Sequence, residues 1–299
     1  MSIFLIIEMT MMYEHLLPPG YKEETKRWLH DDCPTFDIGG FVVGEKIEEA
    51  HLYCKQSCIL AGKPYATAVF EHLELDVTWN YSEGDYINVD DKKKVSIATV
   101  RGKCRNLLLA ERTVLNTISR ASGIASTAKE AVDIGKRVNW HGTIAGTRKT
   151  TPGFRNVEKY ALLVGGAATH RYDLSQMVML KDNHIWSCGN ITAAVKKART
   201  AASFSMKIEV ECQSVAEACE AASAGADIVM LDNFTPETIH IAAKEIKELY
   251  PNILLEASGG ITKDTLHLFM GPSIDIISRG NLTQGYRCID FSLKITRQD

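Results

Sequence analysis

Residues 206–232 read MKIEVECQSVAEACEAASAGADIVMLD. Two short apolar runs, MKIEVEC and DIVML, flank SVAEACEAASAG, an alanine-rich stretch that ends at Gly225. Each run closes on a carboxylate, Glu211 in the first and Asp232 just after the second. A continuous apolar strand, a helix, then another apolar strand is the pattern of parallel strands covered on the outside. Carboxylates at the strand ends then belong to a rim, not to an outer helix.

The same unit recurs on both sides. Further apolar runs are TIAGT at 143–147, MVML at 177–180, ILLEA at 253–257 and IDIIS at 274–278. ITAAVKKARTAA and PETIHIAAKEIKELY supply helices between them. Every run ends in polar or glycine residues: Arg148 and Lys149, Lys181, Glu211, Asp232, then Ser258, Gly259 and Gly260, and finally Gly280. A barrel gathers all such ends at one mouth, whereas a doubly wound sheet gathers only those near its switch point. The expectation is an α/β chain with an incomplete parallel α/β barrel of about six strands.

Upstream the texture differs. HLYCK at 51–55, LDVTWNY at 75–81 and KVSIATV at 94–100 are short alternating runs separated by turn residues, which predicts a mostly antiparallel sheet with helices on one face. Residues 106–137 form one long amphipathic stretch, with Gly123 expected to mark a break or a close contact. IDFSLKI at 289–295 alternates as a half-buried strand does and is expected to return to the first sheet. Hence the expected domains are an N-terminal α/β sandwich over 1–115, rejoined by 287–299, and a barrel over 116–286.

Composition narrows the function. The chain has 299 residues with a formal net charge of -3, yet residues 146–184, GTRKTTPGFRNVEKYALLVGGAATHRYDLSQMVMLKDNH, concentrate Arg148, Lys149, Arg155, Lys159, His170, Arg171, Lys181 and His184. Local positive charge in a slightly acidic protein points to a small, highly charged anion and away from nucleic acid. Glycine turns after successive strands, SGG at 258–260 and Gly280, suit phosphate, although a lone SGG is also an ordinary strand–helix turn. The SGG turn is expected to lead into a helix capped by Thr262. Glu211 and Asp232 suit ribose hydroxyls or magnesium, and Glu209, two residues before Glu211, competes for that role.

No P-loop, GxGxxG, GxSxG or HExxH pattern occurs. Of the eight cysteines only Cys54 and Cys58 lie close together, without the further ligands of a zinc site, so reduced thiols are expected. Residues 1–20 lack a basic leader and are too short to span a bilayer, so neither a signal peptide nor a membrane association is expected. Residues 1–10 read as an optional extension of a cytoplasmic protein, with the nucleus left open.

GTRKTTPGFRNVEKYALLVGG, HRYDLSQMVMLKDNHI, IEVEC, ADIVMLDNF, EASGGI and LLAERTVLNTISRASGIAS together resemble the quinolinate phosphoribosyltransferase family, closest to its eukaryotic, fungal-type members. The resemblance runs in order from about residue 13 to 295. It implies transfer of phosphoribosyl from 5-phosphoribosyl 1-diphosphate to quinolinate, with nicotinate mononucleotide, pyrophosphate and carbon dioxide as products and Mg2+ required. It also implies a homodimer with shared active sites, a hexamer being left open. By position Arg148, His170, Arg171 and Lys181 would hold quinolinate, with Arg112 reaching in from a partner subunit. Lys149, Glu211 and Asp232 would surround ribose, diphosphate and magnesium. Ser258, Gly259, Gly260 and Gly280 would take the 5-phosphate. Gln284 stands where some bacterial relatives have His, which puts that phosphate contact in doubt. His170 is also readable as a packed structural histidine. Arg155, Lys159 and His184 are expected to orient loops or pair with Glu158 and Asp182, and Arg120 to be an interface or packing residue. The competing readings are a related transferase acting on nicotinate, a non-catalytic ligand-binding homologue, and a generic sugar-phosphate barrel enzyme.

Overall fold

The structure, a computed structural model, describes residues 13–285 and 287–296; the expected extension at the start lies outside the described residues. In chain order the elements are α1 (Tyr21–Asp32), α2 (Ile38–Val43), β1 (Ile47–Cys54), β2 (Cys58–Ile59), α3 (Lys63–His72), β3 (Asp76–Trp79), β4 (Tyr86–Ile87), β5 (Val95–Lys103) and α4 (Cys104–Arg137). Then follow β6 (Thr143–Ala145), α5 (Arg155–Val164), β7 (Val178–Leu180), α6 (Asp182–Cys188), α7 (Ile191–Ala202), β8 (Ile208–Cys212) and α8 (Val215–Ala224). The last are β9 (Ile228–Asp232), α9 (Pro236–Leu249), β10 (Leu254–Ser258), β11 (Ile276–Ser278) and β12 (Phe291–Ile295).

The first sheet has the order β12-β1-β5-β3, all antiparallel. Alternation in β1 buries Ala50, Leu52 and Cys54 against Phe70 of α3 and Leu107, Val114 and Leu115 of α4. The C-terminal strand completes this layer, pairing Leu293 with Leu52.

α4 runs unbroken for 34 residues, roughly 50 Å at a helical rise. No break occurs at Gly123, which is buried inside it. Small residues replace large ones in its second half: Ala121, Ala125 and Ala128 are buried there, and a side chain at Gly165 would strike the Ala125 carbonyl at 2.4 Å. Ser122 and Ser126 accept hydrogen bonds from the Ala61 and Ile59 amides, fixing β2 against the helix. α4 therefore contributes to both cores, the N-terminal one through Leu115 and Ile118 and the second through Ile124 and Ala128.

The second sheet is six parallel strands in the order β6-β11-β10-β9-β8-β7. Helices cover its outer side, and alternate strand residues such as Val210, Val229 and Leu255 are fully buried. β6 and β7 do not pair with each other; a single parallel bridge, Ala145 to Ala168, is all that forms at that side among the described residues. The barrel is thus open, as its strand number predicts. One local expectation fails. The SGG turn leads into an irregular loop and a single 3-10 turn, Leu266–Phe269, and not into a capped helix. Thr262 instead exchanges hydrogen bonds with Thr265, closing the loop on itself.

Candidate active site

Because the strands are parallel, their carboxyl ends open on one side, and a cavity of about 850 Å³ lies there. Every strand of the second sheet contributes. Arg148 and Lys149 follow β6, Lys181 follows β7, Glu211 lies near the end of β8, and Asp232 ends β9. Ser258, Gly259 and Gly260 follow from β10, and Gly280 and Gln284 come after β11. His170 and Arg171 enter from the loop before β7. Of the residues that the resemblance assigns to substrate, metal or phosphate, only Arg112 is not on this wall; it stands exposed on α4.

The two carboxylates sit on neighbouring strands. Lys181 Nζ makes a short ion pair with Glu211 Oε2. Asp232 pairs in register with Ser258, at the phosphate-like turn, and accepts from Asn233 Nδ2 at 2.6 Å. Burial, and then the negative charge of Glu211, raise the Asp232 pKa above its ordinary value, against the pull of Lys181 and Lys149. Two hard oxygen donors with partly uncompensated charge suit a divalent cation such as magnesium. Glu209 is no rival for that place. It is fully buried beneath the floor, so Glu211 is the β8 carboxylate that reaches the cavity.

Glycine is required at two of the anion-side positions. Gly259 has φ +94°, and a Cβ there would lie 2.3 Å from Asn233 Oδ1 and 2.9 Å from its backbone N. Gly260, φ +64°, would point a Cβ into open space, so its backbone is accessible from the cavity. At Gly280 a Cβ would press on Lys149 Cδ at 2.8 Å. The Lys149 side chain therefore lies against bare backbone, and Thr283 Oγ1 donates to the Lys149 carbonyl at 2.7 Å to hold that loop.

His170 occupies a left-handed conformation, φ +57°, which few non-glycine residues adopt without support. Its Nδ1 accepts the Arg171 amide at 2.8 Å, and its Nε2 lies 3.0 Å from Glu256 and 3.5 Å from Glu209. These three side chains have ligand atoms within 4.8 Å of one another, but both ring nitrogens are already engaged. Burial disfavours the charged ring, while the two carboxylates favour it more strongly and raise its pKa to about 9. Toward Nε2 the ring faces both carboxylates, and burial with the Glu256 charge pushes the Glu209 carboxyl up to about 7. Ser278 extends the network, donating to Glu256 at 2.5 Å and lying 3.2 Å from Ser258 Oγ. His170 thus stands as a support beneath Arg171, the packed alternative, more than as a free ligand group.

Arg171 is only partly buried, and desolvation together with Arg148 lowers its pKa. Two like charges held side by side make a place for an anion. Of the two roles expected for the residues behind them, orienting loops is the one found. Lys159 does not pair with Glu158; its ammonium donates to the Thr169 and Arg171 carbonyls. Glu158 instead binds Arg120, which is therefore a buttress of the 147–151 loop. His184 caps α6, accepting the Lys181 amide at 3.2 Å, and Arg155 reaches Thr150 Oγ1 only at 3.5 Å.

Comparison with known proteins agrees with this geometry. Residues 35–122 match the quinolinate phosphoribosyl transferase N-terminal domain and residues 124–294 match its C-terminal domain. The chain is 50% identical over 283 residues to the carboxylating nicotinate-nucleotide pyrophosphorylase of Rattus norvegicus, covering 94% of this chain and 93% of that protein. It is likewise 50% identical over 281 residues to the protein of the same name from Homo sapiens, with the same coverage of each. A solved structure of nicotinate-nucleotide pyrophosphorylase from Francisella tularensis superposes with a TM-score of 0.84 at 33% identity, over 92% of this chain and 96% of that one. With both domains matched in order and half of its residues shared with these relatives, the chain belongs to the quinolinate phosphoribosyl transferase family.

Proposed function

We infer that the protein transfers the phosphoribosyl group of 5-phosphoribosyl 1-diphosphate to quinolinate and removes the 2-carboxylate, yielding nicotinate mononucleotide, pyrophosphate and carbon dioxide. One observation carries this reading: a single cavity joins Arg148, Arg171 and Lys181 to Lys149, the Glu211–Asp232 pair and the Ser258–Gly260 turn. A doubly ionised diacid and a phosphorylated sugar need those groups within reach of one another. A charge pair at 4 Å contributes about 1 kcal/mol in water but about 4 at an effective dielectric near 20, so several cations in a partly closed cavity offset the desolvation of both anions.

Arg148 and Arg171 hold the two adjacent carboxylates, since guanidinium offers the planar paired contact that an ammonium lacks. The Gly260 backbone and Ser258 receive the 5-phosphate, and Gly280 keeps Lys149 turned toward the diphosphate. Breaking the anomeric C–O bond sends the electron pair to pyrophosphate, which Lys149 stabilises. Glu211 and Asp232 lower the energy of the cationic sugar and are the residues that would hold magnesium. Held there with the diphosphate, magnesium would supply positive charge to offset that of the leaving group. The pyridine nitrogen then donates its lone pair to the anomeric carbon and becomes a pyridinium. Loss of carbon dioxide leaves the electrons of the broken C–C bond on the adjacent ring carbon, where Lys181 provides a positive neighbour before protonation.

A second copy of the chain is part of the proposal. What supports it is an apolar patch on and beside α2, where Phe36 is 86% and Phe41 89% exposed, together with Ile38 and Val42. α2 packs on α4, whose Leu108 and Arg112 are exposed one turn apart, and in this proposal the partner's contact extends along α4 to Arg112. Incubation with quinolinate, the phosphoribosyl donor and magnesium tests the reaction. Nicotinate mononucleotide and carbon dioxide in equal amounts are expected. Phosphoribosylation of nicotinate without carbon dioxide would overturn the assignment.

A further inference from the structure

We infer that Glu158 and Lys159, adjacent buried residues of α5, are positioning residues that each tether one of the two cationic loops of the cavity. Glu158 holds the loop before the helix and Lys159 the loop after it. The inference rests on the substrate assignments above.

Neither residue is explained by ordinary packing. Both are essentially inaccessible, Glu158 at 0% and Lys159 at 1%, and charged side chains are rarely buried unless paired. The two are neighbours in sequence, yet their partners lie elsewhere. Glu158 Oε2 accepts the Thr151 amide at 2.9 Å, while Oε1 accepts Arg120 Nε at 2.9 Å. Arg120 Nη2 in turn donates to Thr151 Oγ1 at 2.5 Å. This fixes the strand-end loop that carries Arg148 and Lys149 to α4. Lys159 Nζ donates to the carbonyls of Thr169 and Arg171, the latter at 3.2 Å. It thereby brackets His170, the residue in the left-handed conformation, from both sides. Burial, reinforced by Arg155, Arg148 and Arg171, pushes the Lys159 pKa down to about 8. A lysine kept there against such repulsion acts on something local, and the carbonyls are its recorded partners. Neither residue lines the cavity, so each works through another side chain.

The two tethers serve different ligands, and the test uses that difference. With the full-length protein, Lys159→Met is expected to raise KM for quinolinate at least tenfold while KM for the phosphoribosyl donor stays within about twofold. Glu158→Gln is expected to raise both, because its loop carries both Arg148 and Lys149. Lys159→Gln, which keeps one donor, should fall between wild type and Lys159→Met, and it serves if the methionine variant does not fold. Hydrogen exchange provides a readout independent of turnover: faster exchange is expected at 168–172 in the Lys159 variants and at 147–151 in Glu158→Gln. Folded Lys159 variants whose two KM values rise together, or variants of either residue whose exchange is unchanged in its own loop, overturn the inference. A wild-type chain that forms no nicotinate mononucleotide would remove the functional reading, while the exchange pattern would still decide the tethering.

Discussion

Arg171 has its guanidinium half out of water, beside Arg148 and above the His170 support. Hydrogen bonds to charged groups contribute about 1.5–3 kcal/mol each, so Arg171→Ala should raise KM for quinolinate roughly ten- to a hundredfold. Arg171→Lys should recover little, because one ammonium cannot replace the planar pair of donors. Steady-state kinetics on quinolinate check both; unchanged constants would remove Arg171 from the site. Lys159 allows a prediction with a pH sign. Its pKa is near 8 in the fold and 10.5 when exposed, so between those values the unfolded chain binds more protons and stability rises with pH. Below about pH 8 the full penalty of the buried charge is present, on the order of 3 kcal/mol. Wild type should therefore gain stability relative to Lys159→Met between pH 8 and 10.5, measured by denaturant unfolding. A constant difference would show that the ammonium is not desolvated. Arg148, Arg171 and Lys181 were legible in the sequence because each follows an apolar run or sits in a dense cationic stretch. Lys159 was expected to orient a loop, but the burial of Glu158 and Lys159 was not legible. Inside FRNVEKYALLV they look like the solvent face of an amphipathic helix, and only packing on both sides of α5 buries them.

At the level of elements, the strand ends were the readable feature. Parallel strands carry their period and their last residue in the sequence, so Glu211, Asp232 and Ser258 could be placed on one rim before any coordinates. The SGG turn was read correctly as a turn but wrongly as a helix start. ITKDTLHLF has acceptable helix formers, yet Thr262 and Thr265 bond each other and leave a 3-10 turn. That competition between side-chain and backbone bonding is local and gives no periodic signal. If the turn takes the 5-phosphate as proposed, its affinity rests on bare backbone and not on a long helix terminus, and glycine substitutions should be severe. Gly259→Ala must accept both a left-handed conformation and a clash with Asn233. It should raise KM for the phosphoribosyl donor about tenfold or more and lower stability by about 1–3 kcal/mol. Gly260→Ala meets no protein atom, so its effect should fall mainly on the donor KM, with stability lowered by about 1–2 kcal/mol from backbone strain alone. Equal behaviour of the two variants in kinetics and unfolding would contradict the geometry of the turn.

Across the whole molecule, α4 joins the two cores, and the C-terminal strand returns to β1, so the N-terminal layer is finished only after the parallel sheet has been built. The N-terminal layer then presents an exposed apolar patch at Phe36 and Phe41, and Arg112 does not line the cavity of its own chain. Exposed apolar clusters of this kind mark association surfaces, and closed dimers place the same patch on both partners. A charge in that patch, Phe41→Glu, should shift the protein toward monomer in sedimentation and reduce turnover with it. Subunit complementation is more decisive. If Arg112 serves the partner's site, Arg112→Ala and Lys149→Ala each destroy both sites of their own dimer. In a hybrid of the two, one site combines both defects and the other has wild-type residues throughout. Random reassortment of equal amounts makes about half the dimers hybrid, each with one good site, so activity should return to about a quarter of wild type. Mixed variants that exchange subunits, as shown by native mass spectrometry, yet stay inactive would place Arg112 outside the shared site. The patch would then join subunits without joining their chemistry.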